Sequence, residues 1–423
     1  MLRPPQSPGR LLLLLPTATY RTTAFVEAAR RLRLDLTVAS EQPSTFEQAQ
    51  PDRLLTLDFS NPERAAEQAA VFARGHPIAG VVGVDDTAAI VAAAIAERLG
   101  LAGNPLAAAL AARDKHVQRN ELARHGVPVP RFELHTLGED AADRATRLRY
   151  PCVVKPLRLS ASRGVIRADD PRGFVGAVAR LQAILEQPDV AGCGDWARQM
   201  LVEDFVPGPE VALEGLVIGG QLNVLALFDK PDPLNGPFFE ETIYVTPSRL
   251  PEPAQRAIAG CAQAAVAALG LREGPIHAEL RWNTGGAWLI ELAARPIGGR
   301  CSEVLRFTTG EGMGQASLEE VIVRHAVGLP IPSLEREQCA AGVMMIPVTK
   351  AGVLREVRGV AQARAVPLVE DVAITAHAGQ ALVPWPEGSR YPGFIFARGG
   401  TPAAVEAALR EAHRRLAFVI TPP

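Results

Sequence analysis

Strand-like and helix-like stretches alternate through the first hundred residues, and that alternation admits few folds. Leu11–Leu15 is a short apolar run, Leu34–Val38 and Leu54–Leu57 read as strands, and Ile78–Val84 is a further strand ending at Asp85-Asp86. Between them Ala24–Leu32, Pro62–Ala73 and Thr87–Leu99 carry helical spacing. The second follows Ser60-Asn61, a capping pair, and Gly100 closes the third. This order predicts a doubly wound α/β domain over residues 1–104, a parallel sheet with helices on its faces. No G-x-G-x-x-G follows the first strand, so a dinucleotide site there lacks its glycines. Asp85 and Asp86 end a strand, where open sheets often hold ligands; helix capping by Asp86 is the plainer reading.

A second unit starts near Gly103-Asn104-Pro105, with an opening helix through Arg113-Asp114-Lys115 to Arg124. From about Gln199 to Glu291 the pattern is mostly strands with one long helix, Glu252–Leu269. The tail from Ala340 has short strands, then a helix near Ala403–Leu416. Pro330-Ile331-Pro332-Ser333 reads as a linker, which sets expected units at 105–330 and 331–423. At roughly 150 residues per domain, 423 residues fit about three.

The 44 basic residues against 46 acidic ones leave a formal charge of −2. No polyanion-binding bias results, so nucleic acid is not an expected partner. Five scattered cysteines without zinc-like spacing read as reduced thiols of a cytoplasmic protein. Leu11–Leu15 stops at Pro16 and reads as a buried strand rather than a leader. No apolar stretch reaches the roughly 20 residues of a membrane helix.

The sharpest local pattern lies in Pro275–Trp282 and Ala287–Leu292, which alternate with period two. A three-residue loop, Thr284-Gly285-Gly286, would join them as a hairpin. That register sets Trp282 opposite Trp288, Leu280 opposite Ile290 and Ala278 opposite Leu292, all on one side. Glu279 then lies opposite Glu291 on the other. A slip of one residue would mix the faces, which a half-buried sheet resists. Opposed side chains sit about 5 Å apart at Cβ, so two acids there repel unless a cation lies between them. Mg²⁺ takes few protein carboxylates plus phosphates, which makes the hairpin a candidate metal–phosphate platform. Neutralisation of a solvated face by Arg281 and other cations is the alternative.

Lysines give a second signal. Cys152-Val153-Val154-Lys155-Pro156 is a β-prone run that can aim Lys155 at a phosphate, although a lysine at a strand end is usually just solvated. Ser160-Ala161-Ser162-Arg163-Gly164-Val165 follows, small residues able to bring N–H groups against phosphate oxygens; an ordinary hairpin turn is the plainer reading of these residues alone. Leu201-Val202-Glu203-Asp204-Phe205-Val206-Pro207-Gly208-Pro209-Glu210 reads as strand, tight turn and new strand. No G-x-x-x-x-G-K-[ST], G-x-S-x-G or H-E-x-x-H is present, which argues against P-loop NTPases, α/β-hydrolases and common zinc proteases.

In order, Lys115 in a helix, Val-Val-Lys155-Pro, the small-residue loop, Glu203-Asp204-Phe205-Val206-x-Gly208-x-Glu210, Glu279 and Glu291-x-x-x-Arg295 resemble the ATP-grasp superfamily. The resemblance covers about 1–330 and is strongest from 113 to 300. It implies a two-lobed ATP-grasp fold (lobe A about 105–194, lobe B about 195–330) after the N-terminal domain, and a small C-terminal α+β domain that closes it. It implies ATP phosphates on Lys115 and Lys155 beneath a mobile loop made of Ser160, Ala161, Ser162, Arg163, Gly164 and Val165. Glu203, Asp204, Phe205 and Val206 would pair with adenine through backbone atoms, and Glu210 would take the ribose hydroxyls. Glu279 and Glu291 would ligate Mg²⁺ (or Mn²⁺), and Arg295 would contact the transferred phosphate as a catalytic group. The family often has an asparagine two residues after the second glutamate; Ala293 stands there, so one metal would be held more weakly or through water.

Within the superfamily Glu291-Leu-Ala-Ala-Arg295-Pro296-Ile-Gly298-Gly299-Arg300 resembles the L-amino-acid ligase branch. It would put Arg295, Gly298 and Gly299 against substrate. Pro237–Pro247 resembles that branch's substrate segment, with Phe238 and Tyr244 where histidines often stand. Glu241 would hold a substrate ammonium or is a surface acid. The implied activity is ATP-dependent carboxylate–amine ligation through an acyl phosphate, on small-molecule acids and amines, in an enzyme of a family that often forms homodimers. A carboxylase or formate-dependent transferase on the same scaffold, and a nucleotide-binding protein without turnover, are the alternatives.

Overall fold

The structure is a computed structural model, and it describes residues 9–17, 19, 21–309 and 314–422. The N-terminal sheet is wholly parallel, in the order Leu54–Thr56, Asp35–Ser40, Arg10–Leu14, Gly80–Gly83. Its central strand is buried on both faces: Leu11 and Leu13 pack into one core, Leu12 and Leu14 into another. That double burial is why the strand reads as an unbroken apolar run. Asn61 caps Pro62–Ala73 by accepting from the Arg64 N–H at 3.0 Å. Capping of the next helix, Asp86–Leu99, falls to Asp85 and not Asp86: the Asp85 carboxylate accepts from the Ala88 N–H at 2.8 Å. Asp86 is left facing the interior cleft.

The helix expected through Arg113 to Arg124 is two helices, Leu106–Arg113 and Lys115–Arg124. Asp114 breaks them because it is extended and caps the second, accepting from the His116 and Val117 N–H groups. A four-stranded antiparallel sheet follows, ordered Phe132–Thr136, Gln199–Asp204, Cys152–Pro156, Ile166–Ala168. Pro171–Leu185 backs it with Phe174, Leu181 and Leu185. Gln199–Asp204 therefore belongs to this small sheet, although it lies past the expected lobe boundary near 194.

The large sheet has eight antiparallel-paired strands: Gly286–Ala293, Gly274–Asn283, Glu210–Ile218, Gln221–Asp229, Ile243–Thr246, Ala340–Met345, Gly393–Gly399, Val369–Ile374. The last three come from beyond the linker, so the C-terminal segment continues this sheet through the pairing of Ile243–Thr246 with Ala340–Met345. A separate three-stranded sheet, Ala381–Leu382, Gly352–Arg358, Ala417–Thr421, completes that end with the helix Pro402–Arg414. Among the described residues no helix is long and apolar enough to cross a membrane.

The ribbon near residue 280 keeps Glu279 opposite Glu291 and Ala278 opposite Leu292, then shifts register. Leu280 faces Leu289, Arg281 faces Trp288 and Trp282 faces Ala287, so the expected Trp282–Trp288 and Leu280–Ile290 pairs do not form. The extra residue is Ile290, a bulge whose carbonyl accepts from the Arg119 guanidinium. The bulge lets Leu289 and Leu292 both face the core, while Ile290 and Glu291 face the cleft. It also shortens the loop: Asn283 pairs with Gly286, leaving Thr284-Gly285 as the turn, with Gly286 at φ +103°.

Candidate functional site

A pocket opens between the small sheet and the acid ribbon. Lys155, at the end of its strand, is buried and pairs with Glu203 at 2.6 Å. Glu203 also takes the Arg119 guanidinium at 2.6 Å. Burial opposes its charge, yet Arg119 and Lys155 hold the carboxyl below the usual range. Lys115 reaches in from its helix, donating to the Leu159 carbonyl at 3.0 Å and pairing with Glu291 at 3.0 Å. Asp204, Phe205 and Val206 form the rim. The Val206 carbonyl accepts from Arg281 at 2.8 Å. Glu210 faces the pocket with both oxygens engaged, one by Lys230 and one by Arg281, each at 2.8 Å.

Lys230 is the residue that sequence reasoning missed. It is buried among three carboxylates, Glu210 at 2.8 Å, Glu279 at 3.2 Å and Glu241 in close contact. Burial opposes its charge, but these acids keep it protonated well above the ordinary lysine value. Its signal was present: Phe228-Asp229-Lys230-Pro231 ends an apolar strand with lysine and proline, as Val154-Lys155-Pro156 does. Burial pushes Glu241 up to about 7, with Lys230 opposing and Glu279 adding to the rise. The Tyr244 hydroxyl donates to it at 2.6 Å. Glu241 is thus an interior acid rather than a surface one. Glu279 is buried against its charge too, yet Lys230 and His277 hold it well below the carboxylate range.

Glu210, Glu241 and Glu279 each offer an oxygen within 4.8 Å of the others. The Lys230 ammonium sits among them as their counter-charge. Hard oxygen donors of this kind suit Mg²⁺ or Mn²⁺. Glu291 lies across the ribbon from Glu279 and turns to the same cleft.

A second cavity of about 320 Å³ adjoins the first, and the two share Ser162, Glu279 and Glu291 on their walls. Glu241, Arg295, Gly298, Gly299 and Ser160 line this cavity, as do His277, Tyr244 and Tyr391. Asp86 lies at its mouth, paired with Arg295 at 3.0 Å and Arg113 at 3.8 Å, and it accepts from the Ser160 hydroxyl at 2.8 Å. Burial opposes the Asp86 charge, but Arg295 and Arg113 hold it well below the usual range. His277 stands 3.4 Å from Glu214 and 3.6 Å from Glu279. Burial disfavours its charge, and the two carboxylates outweigh that, pushing it up to about 9. Arg21 donates to the Pro296 carbonyl at 3.1 Å and the Ile297 N–H donates to Glu214 at 3.0 Å, which fixes the turn after Arg295.

The structure thus gathers Lys115, Lys155, Ser162, Val165, Glu203 to Val206, Glu210, Glu279 and Glu291 around one pocket, and Ser160, Glu241, Arg295, Gly298 and Gly299 around its neighbour. Two loop residues stand apart. Arg163 turns outward to Asp189 at 2.6 Å, and the Gly164 N–H is already donated to the Pro386 carbonyl at 2.9 Å. Neither lines either of these two cavities. Ala293 lines the second cavity as a small apolar residue.

Comparison with known proteins gives three family matches along the chain. Residues 26–103 match the ATP-grasp N-terminal domain, 148–304 the ATP-grasp domain, and 344–421 the L-amino acid ligase C-terminal domain 2. The crystal structure of an L-amino acid ligase from Bacillus licheniformis superposes with a TM-score of 0.78 at 28% identity, covering 98% of this chain and 99% of that one. The alanine–anticapsin ligase of Bacillus subtilis is 28% identical over 57% of this chain and 54% of its own length. Carnosine synthase 1 of Gallus gallus is 28% identical over 82% of this chain and 38% of its own. The chain therefore spans about half or less of the length of these two curated relatives.

Proposed function

The chain belongs to the ATP-grasp superfamily and ends in an L-amino acid ligase C-terminal domain, and from that premise we propose that it is an ATP-dependent ligase joining a carboxylate to an amine on amino-acid-like substrates. One observation carries the reading: a pocket with two buried lysines and a cavity with Arg295 meet at Ser162, Glu279 and Glu291. That junction is where a γ-phosphate and an acceptor carboxylate would have to meet.

The first step transfers the γ-phosphoryl group of ATP to the carboxylate, giving an acyl phosphate and ADP. In the second an amine attacks the acyl carbon, phosphate leaves and the nitrogen gives up a proton. Lys115 and Lys155 would hold the phosphates, Asp204 to Val206 the adenine edge, and Arg295 the transferred group; such chemistry is mostly positioning and charge neutralisation. Glu279 and Glu291 would hold Mg²⁺ (or Mn²⁺), which supplies charge neutralisation on the phosphates, and Glu210 would face the ribose hydroxyls. Residues 1–104, 105–330 and 331–423 are taken as the N-terminal, nucleotide-holding and closing units of an enzyme working in the cytoplasm. The likeness to an alanine–anticapsin ligase and to carnosine synthase 1 supports amino acids or amino-acid-like acids as substrates.

Screening amino acids singly and in pairs for ATP-dependent phosphate release, with mass spectrometry of products, tests this. ADP and a condensed product are expected; AMP would point to adenylation and reject the acyl-phosphate route. Lys155→Met should weaken ATP binding roughly 10–100-fold, since a hydrogen bond to a charged group contributes about 1.5–3 kcal/mol. Nucleotide titration reads it directly, and an unaltered dissociation constant removes Lys155 from the phosphate site.

A further inference from the structure

The loop Ser160–Val165 holds Ala161 at φ +56°, Ser162 at +54° and Gly164 at +75°. Two of these residues carry a side chain and so adopt the left-handed region only under constraint. The constraint comes from far along the chain. The Trp385 indole N–H donates to the Ala161 carbonyl at 2.8 Å, and the Pro386 carbonyl accepts from the Gly164 N–H at 2.9 Å. Glu387, next in sequence, makes a two-pronged pair with Arg180 at 2.5 and 2.8 Å. Arg180 lies on the helix Pro171–Leu185, and Leu181 of that helix packs close beneath Gly164. The segment is thus tied to the loop and to the loop's own support.

Its other end reaches the reaction cavity. Trp385 is buried and stacks on Tyr391 with ring centroids 4.8 Å apart, and Tyr391 lines the cavity. One short stretch of the C-terminal unit therefore touches both the back of the loop and the wall beside the acceptor. Ser162, at the middle of the loop, borders both cavities. A loop left free at this point would open the junction to water, which hydrolyses acyl phosphates.

We propose that Trp385 is a positioning residue: with Pro386 and Glu387 it latches the loop Ser160–Val165 over the junction, so that phosphoryl transfer is coupled to amide formation. The coupling half of this inference rests on the ligase reading; the latching half does not.

Two measurements separate them. Hydrogen exchange of the peptide covering residues 158–168 is followed on the full chain without ligand. Trp385→Phe keeps the ring stack and deletes the indole donor, so exchange there should quicken roughly fivefold, the scale of one lost hydrogen bond. The phosphate released in excess of amide formed, with the best amino-acid pair, should rise by a similar factor. Glu387→Gln, which weakens the tether to Arg180 at a half-exposed position, should shift both in the same direction by less and decides the matter if Trp385→Phe does not fold. Unchanged loop exchange in the folded variants overturns the latch whatever the activity. Quickened exchange with an unchanged phosphate-to-amide ratio overturns the coupling role. Quickened exchange in a chain whose wild type makes no amide with any pair sinks the ligase reading instead and leaves the latch standing.

Discussion

Glu291→Gln loses roughly 10²–10³-fold in turnover, the scale seen when one preorganised electrostatic partner of a transition state is removed. Glu291 borders both cavities and faces Glu279 across the ribbon. Its nearest cation is Lys115 at 3.0 Å. Glutamine keeps the shape and deletes the charge, so the backbone and the bulge at Ile290 are undisturbed. What disappears is an anionic oxygen able to share a divalent cation with the phosphates. Nucleotide should still bind through Lys155 and the rim of the pocket, while the Mg²⁺ concentration needed for half-maximal rate climbs. Phosphate release at saturating ATP across a Mg²⁺ series measures both effects. Turnover equal to wild type would take Glu291 out of the metal site.

Lys230→Met destabilises the fold by about 3–5 kcal/mol, the usual range when one partner of a buried charge cluster is deleted. Three carboxylates depend on that ammonium, and methionine fills the volume without the charge. The loss depends on pH in a set direction. Glu241 already sits at about 7, above the ordinary carboxylate value near 4.3. Without Lys230, which opposes that rise, Glu241 goes further up, and Glu279 loses a cation that holds it down. A carboxyl with a raised folded value favours the fold fully below its unfolded value, and that advantage fades as pH climbs through the folded one. The variant should therefore be nearest to wild type at about pH 5 and furthest from it at about pH 8. Equilibrium denaturation of both proteins in chelator gives the difference. A deficit under about 1 kcal/mol, or one that does not change with pH, contradicts the account.

The parts of this site that the sequence displays are those governed by short-range pattern. The opposition of Glu279 and Glu291 follows from period-two faces, and it holds. The bulge beside it does not follow, because Ile290 continues the alternation and only distant partners show that it breaks. These are the Arg119 guanidinium on the Ile290 carbonyl and the Pro128 carbonyl accepting from the Leu289 N–H. Asp85 and Asp86 are equal as letters; which one caps the helix is set by the backbone at the strand end, and the other is released to pair with Arg295. Lys230 was legible in principle, since it repeats the strand–lysine–proline pattern of Lys155. Its three acids are spread from 210 to 279, so the charge cluster exists only after the sheet has formed. The contribution of Trp385 to the loop spans 224 positions, beyond any local pattern.

The eight strands that run without a break from the acid ribbon to Val369–Ile374 make the carboxyl-terminal quarter inseparable from the rest. A fragment ending before Ala340 would lay bare the edge of Ile243–Thr246, a strand buried at all four residues. Bare apolar edges recruit other chains. Exchanging this end between relatives therefore calls for junctions in the turns around the sheet, with Ala340–Met345 carried over as a paired strand and never cut.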